Sequence, residues 1–223
     1  MPPLSVFSTR DAMMTAAARA IAEALRFGIA TRGAACAALS GGTTPAPAYR
    51  ALAHMPLPWK DVTFALVDER FVPNADAASN ERLVRESLKE AFAAGAAFAP
   101  MFSGGTPAEA AAGADAAYKA LQIDVAVMGM GNDGHTASWF PGAPELPALL
   151  DLGNPRTVVA LTAPDAQPIN DRLTLTRAAL ARADRLLLLI TGTEKRVRLE
   201  AGGAPIDALF APEMPPCEIL YAP

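Results

Sequence analysis

Short apolar runs that each give way at once to a cluster of small and polar residues constrain this chain more than anything else in it. Residues 34–39 lead into Ser40-Gly-Gly-Thr-Thr-Pro45, and residues 62–67 into Asp68-Glu-Arg70. Residues 125–128 lead into Gly129-Met-Gly-Asn-Asp-Gly-His135, and residues 185–191 into Gly192-Thr-Glu-Lys195. Runs of this length suit buried strands. Stretches of helical character separate them: 11–27, with Met14, Ile21, Ala24 and Leu25 at helical spacing and Gly28 as its stop; a helix after Pro45 carrying Tyr49 and Leu52; 80–92, capped by Ser79; 109–121; and 194–200. Shorter strands are expected at 157–162, 173–176 and 217–221, and a further helical stretch at 177–183. A helix-compatible segment opens at Thr136, and the Pro- and Gly-rich residues 141–155 read as irregular. Strands alternating with helices predict an α/β fold with a mainly parallel sheet covered by helices on both faces, an open Rossmann-like three-layer arrangement. No repeat or long linker divides the chain, so 1–223 is read as one domain.

Composition narrows the ligand. The formal net charge is -4 and the pI about 5.2, with no long run of either sign. Nucleic acid and anionic membranes are therefore poor partners. A few converging arginines and backbone N–H groups can still hold a small anion on an acidic protein. Cys36 and Cys217 read as reduced thiols, and no set of Cys and His has zinc spacing, so neither a disulfide framework nor a metal is expected. The N-terminus has no basic segment followed by an apolar one, and the aliphatic run 186–190 is too short to cross a bilayer. The expectation is a soluble, cytoplasmic protein.

In open parallel sheets ligands sit outside the carboxyl ends of the strands, which is where all the polar clusters fall. Ser40, Gly41, Gly42, Thr43 and Thr44 have the small size and hydroxyls to curl round an anion, although an ordinary strand-to-helix turn uses the same residues. The Gly-Lys-Ser/Thr ending of a Walker loop is missing. Asp68, Glu69 and Arg70 supply two carboxylates and a guanidinium that can fork onto a phosphate, or else form a solvated ion cluster. Gly129, Gly131 and Gly134 match the dinucleotide fingerprint in form, but Pro141, Pro144 and Pro147 spoil the helix and second strand that should follow. His135 is one of only two histidines, and His54 sits beside a proline-rich loop. Asp133 is near enough to orient the His135 ring, and a helix from Thr136 would present its positive end to it and keep it neutral. Arg172 and Lys195 add positive charge beside strand ends, Arg172 being the better phosphate ligand because it can bind bidentately.

Taken in order, Ser40-Gly-Gly-Thr-Thr-Pro, Val67-Asp-Glu-Arg-Phe-Val-Pro73, Ser79-Asn-Glu81, Gly129-Met-Gly-Asn-Asp-Gly-His-Thr-Ala-Ser138, Arg172-Leu-Thr-Leu-Thr and Thr191-Gly-Thr-Glu-Lys195 resemble the 6-phosphogluconolactonase family. The resemblance covers most of the chain. It implies the α/β fold shared with the related glucosamine-6-phosphate isomerases, and hydrolysis of 6-phosphogluconolactone in the oxidative pentose phosphate pathway without metal or organic cofactor. The expected partner is a sugar-phosphate lactone, and the expected assembly a monomer or weak homodimer. On this reading His135, Asp133 and Asp68 are catalytic. Ser40, Gly41, Gly42, Thr43, Thr44, Arg70, Arg172 and Lys195 hold the phosphate, and the Gly131 N–H meets the developing oxyanion. Ala78 stands where many relatives have Asp, and Trp139, in place of a more usual leucine, is expected at the mouth of the pocket. The isomerases carry a glutamate for ring opening where this chain has Phe140, which favours the lactonase over an isomerase. A non-catalytic sugar-phosphate sensor is the other alternative, and no helix-turn-helix segment accompanies it here.

Overall fold

The protein is described by a computed structural model covering residues 2, 4–163, 166 and 169–223. In chain order the elements are β1 (Leu4–Val6), α1 (Arg10–Arg32), β2 (Ala35–Leu39), α2 (Ala46–Ala53), β3 (Val62–Leu66), β4 (Asp68–Arg70), α3 (Asn80–Ser87), α4 (Lys89–Ala93), β5 (Ala97–Phe98), α5 (Pro107–Lys119), β6 (Val125–Met128), α6 (Leu146–Leu150), β7 (Val158–Thr162), β8 (Asp171–Leu175), α7 (Arg177–Leu180), β9 (Leu186–Thr191), α8 (Thr193–Ala201) and β10 (Cys217–Ala222). Seven strands form one parallel sheet in the order β1-β10-β9-β6-β2-β3-β5. Strands β2 and β6 are buried at every position. Burial of alternate side chains on both sides requires cover on both faces of the sheet. The expected α/β architecture is observed.

From β2 the chain builds outward to β3 and β5, then returns to the other side of β2 for β6, β9 and β10. The loops that follow β2 and β6 therefore part company, which opens a crevice at the carboxyl ends of these neighbours. A second, antiparallel sheet of order β4-β8-β7 closes one side of that crevice. Val67 joins the two sheets: its N–H donates to Leu39 O at 3.0 Å, and its carbonyl accepts from Leu175 N at 2.9 Å. Asp68-Glu69-Arg70, expected as a loop, is thus a strand. It carries no apolar residue and is defined by its pairing with β8.

Other differences have local causes. Helix α1 runs through Gly28 and ends at Gly33, whose left-handed φ of 77° and N–H bond to Ile29 O form the cap. Gly28 serves close packing instead, because a Cβ there would lie 2.0 Å from Asp124 Oδ1. The expected helix 80–92 is broken at the fully buried Leu88 into α3 and α4. Ser79 caps α3 as expected, accepting from Arg82 N at 3.2 Å. A short helix, α6, interrupts the Pro- and Gly-rich stretch. No helix opens at Thr136; the chain turns there, with Trp139 N donating to Thr136 O at 3.0 Å, and the next helix starts at Leu146.

Candidate active site

Two lobes meet at the crevice, with cavity volumes of about 230 and 860 Å³. Asp68, Arg70, His135 and Ala137 line both and form the waist between them. Ser40, Gly41, Gly42, Thr44, Gly131 and Lys195 lie in the narrow lobe, and Asp133, Phe140 and Arg172 in the wide one. The polar clusters that follow β2, β6 and β9 thus converge with β4 and β8 of the second sheet. Thr43 is the exception: it lines a separate surface depression with Ala46 and Arg50.

The narrow lobe gathers small, hydroxyl and cationic residues. Ser40 is buried at 7% exposure, its Oγ has no hydrogen-bond partner among the described residues, and its carbonyl is fixed by the Tyr49 hydroxyl at 2.8 Å. Buried hydroxyls are normally paired, and Ser40 lines the narrow lobe. Lys195 reaches the same lobe from α8. Burial pulls its amine below the ordinary lysine value, and the Asp133 charge opposes that shift. Arg70 is steered by two bonds from Nη1, to Ala78 O at 2.7 Å and Asn80 Oδ1 at 2.8 Å. The Ala78 contact uses the backbone, so a change of side chain there leaves it intact. Asn80 is a buttress whose role sequence reasoning missed: its Nδ2 also donates to Asp68 O at 2.8 Å, and Gly41 packs against its carboxamide.

Glu69, between the two outward residues of β4, turns into the protein at 1% exposure. It accepts from the N–H groups of Arg70, Asn80 and Glu81 and from the Ser79 hydroxyl, at 2.7–3.0 Å. Burial pushes its carboxyl above the usual range while those donors oppose the shift. Its work is to fasten β4 to the start of α3.

Arg70 and Arg172 are paired directly across the β4–β8 ladder. Side chains opposite one another in an antiparallel pair share a face, and like charges there repel. Arg172 is buried at 3% exposure. Burial lowers its guanidinium from the ordinary value, Asp68 opposes this, and Arg70 adds to it. An anion between the two arginines relieves that repulsion. Asp68, one pleat earlier on the same face, accepts from the Ser138 hydroxyl at 2.8 Å.

Of the catalytic candidates Asp133 and Asp68, it is Asp133 that contacts His135. Its Oδ1 lies 2.6 Å from His135 Nδ1 and also accepts from the His135 N–H at 3.1 Å. A carboxylate only accepts, so Nδ1 carries the proton and Nε2 is the basic nitrogen. Phe140 packs on the ring, with centroids 4.4 Å apart. The expected helix dipole at Thr136 is missing, and the groups in contact with the ring are Asp133 and Phe140. Gly131 also departs from expectation. Its N–H donates to His135 O at 2.9 Å and is not free for an oxyanion. What Gly131 contributes is an empty position, since a Cβ there would come within 2.3 Å of the His135 ring. Trp139 is fully buried, donates from Nε1 to Leu175 O at 2.9 Å, and lies away from the pocket mouth.

Among the described residues no group of three or more His, Cys, Asp and Glu is placed to hold a metal ion. No helix among them is long and apolar enough to cross a membrane.

A crevice at the switch point of a parallel sheet is where α/β enzymes bind small molecules, and Arg70, Arg172 and Lys195 converge on this one. Residues 8–220 match the family described as glucosamine-6-phosphate isomerases/6-phosphogluconolactonase, and the chain belongs to that family. A 6-phosphogluconolactonase of Caulobacter vibrioides is 42% identical over 224 residues, covering 98% of this chain and 97% of the relative. One of Rhizobium meliloti is 40% identical, covering 99% and 98%. Among solved structures, a 6-phosphogluconolactonase from Shewanella baltica superimposes with a TM-score of 0.94 at 32% identity, covering 100% of this chain and 98% of that one.

Proposed function

We propose that this chain hydrolyses 6-phospho-D-glucono-1,5-lactone to 6-phospho-D-gluconate, in the oxidative pentose phosphate pathway, with His135 as the general base. The relatives named above support the substrate. The observation that carries the mechanism is the 2.6 Å contact of His135 Nδ1 with Asp133 at the waist of the cleft.

The 6-phosphate enters the narrow lobe and meets the Ser40 hydroxyl, Thr44, Lys195 and Arg70. The lactone then lies across the waist. His135 Nε2 takes a proton from water as the water oxygen bonds to the lactone carbonyl carbon. Charge gathering on the carbonyl oxygen is met by Arg70, the cation that reaches both lobes. The bond from the carbonyl carbon to the ring oxygen breaks, and His135 returns the proton to that oxygen. Asp133 stabilises the imidazolium in between. Asp68, held by Ser138, accepts from a sugar hydroxyl, and Arg172 places a second charge beside Arg70 for the product carboxylate or the phosphate.

Phe140 argues against ring-opening isomerisation, because an apolar ring lies against His135 where the isomerases carry an acid. Acid release from the lactone, measured above its spontaneous hydrolysis, tests the assignment. His135→Ala is expected to lower kcat by roughly 10²–10⁴, and activity within threefold of the parent would remove His135 from the role of base. Ammonia release from glucosamine 6-phosphate would establish the isomerase instead, and binding without turnover of either substrate a sensor.

A further inference from the structure

The Asp133–His135 pair is made by residues two apart, so the pair cannot position itself; the turn that carries it must be held from outside. Inside the turn Gly131 N donates to His135 O at 2.9 Å, Gly134 N to Gly131 O at 3.1 Å and Thr136 Oγ1 to Gly129 O at 2.8 Å. These bonds give the turn its shape. Its placement over the cleft comes from the far side. Arg198, on α8, donates from Nε to the carbonyl of Asp133 at 3.2 Å and from Nη1 to Gly202 O at 2.8 Å. One guanidinium thereby ties the turn to the corner that ends α8. Ile206 N donates to Gly134 O at 3.1 Å. Gly134, at φ 87°, approaches so closely that a Cβ would lie 2.5 Å from Ala204 Cβ.

The same helix carries Lys195, three residues before Arg198, and residues three apart share a helix face. Lys195 lines the narrow lobe, and the Asp133 charge acts on its amine. Helix α8 thus touches both ends of the reaction: the anion through Lys195, and the backbone of the base turn through Arg198.

We propose that Arg198 is a positioning residue, which sets the Asp133–His135 pair over the substrate by holding the Asp133 carbonyl. It acts through the backbone and touches no reacting atom. The inference rests on His135 being the base. A shift of about 1 Å in a catalytic group can lower a rate by roughly 10², so Arg198→Met, which keeps the aliphatic stem and removes the donors, is expected to lower kcat ten- to a hundredfold with KM within about twofold. The imidazole signals of His135, separated from those of His54 by a His54→Gln background, are expected to shift in proton–nitrogen spectra. Arg198→Lys, which retains the charge and one donor, should fall between the parent and Arg198→Met, and it serves as the test if Arg198→Met does not fold. In a His135→Ala background Arg198→Met should bring no further loss, since no base remains to be placed.

A folded Arg198→Met with kcat within twofold of the parent overturns the inference. So does a fall in kcat with unaltered His135 signals, or a full additional loss in the His135→Ala background. An active His135→Ala protein would overturn the assignment of the base, whereas an inactive one beside a fully active Arg198→Met would overturn only the role of Arg198.

Discussion

Replacing Gly131 with alanine isolates the placement of the base from every other property of the site. The added methyl would sit 2.3 Å from both Nδ1 and Cε1 of His135 and 2.6 Å from Asp133 Oδ1, where ordinary contact begins near 3.4 Å. The ring cannot retreat freely, because Phe140 packs on it with centroids 4.4 Å apart. Gly131 is not among the positive-φ residues, so alanine brings no backbone strain, and its N–H bond to His135 O survives. The clash is therefore resolved by moving the imidazole and its carboxylate by about 1 Å, a displacement that costs roughly 10² in rate. That factor corresponds to about 2.7 kcal/mol of lost transition-state stabilisation. The Ser40 loop and Lys195 are untouched, so KM should stay within about threefold. Steady-state acid release from the lactone measures both constants, and thermal unfolding checks the fold. A Gly131→Ala protein with kcat within threefold of the parent, beside an inactive His135→Ala, would refute the steric argument.

The unpaired Ser40 hydroxyl predicts effects that separate stability from binding. Ser40→Ala should cost no more than about 1 kcal/mol of stability, while KM rises about tenfold; urea unfolding and kinetics read the two, and a large loss of stability with an unchanged KM would contradict the placement of the anion. Lys195 supplies a pH dependence. Burial lowers its pKa from the ordinary lysine value of 10.5, so its positive charge is lost at a lower pH than on a free lysine. Calorimetric affinity for 6-phosphogluconate should therefore weaken on the alkaline side before pH 10.5 is reached, and Lys195→Arg should flatten that decline.

The buried parallel strands were legible because both faces are covered and the sequence reads as apolar from end to end. The clusters at their carboxyl ends were legible for the same reason, since polarity returns where burial stops. β4 was not, because Asp68-Glu69-Arg70 has no apolar residue and becomes a strand through a partner more than a hundred positions away, in β8. The facing of Arg70 on Arg172 follows from that register and was equally hidden. Gly28 looked like a helix stop because the carboxylate that requires it, Asp124, belongs to another element. Gly131 was assigned an N–H donor role on its chemistry, whereas its bond to His135 O depends on how the turn closes. Arg198 gave no signal at all, because its contact is with a main-chain oxygen 65 residues away.

The edge of the large sheet carries a consequence for the order in which the molecule can be completed. β1 has a single neighbour, β10, with Leu4 opposite Ile219. During synthesis β1 therefore emerges long before the strand it is paired with among the described residues. The crevice between β2 and β6 needs nothing from either edge strand, and domains tend to form from the N-terminal side as the chain appears. The strands around the crevice, β2, β6 and β9, can thus pair with one another while Leu4–Val6 still waits for β10.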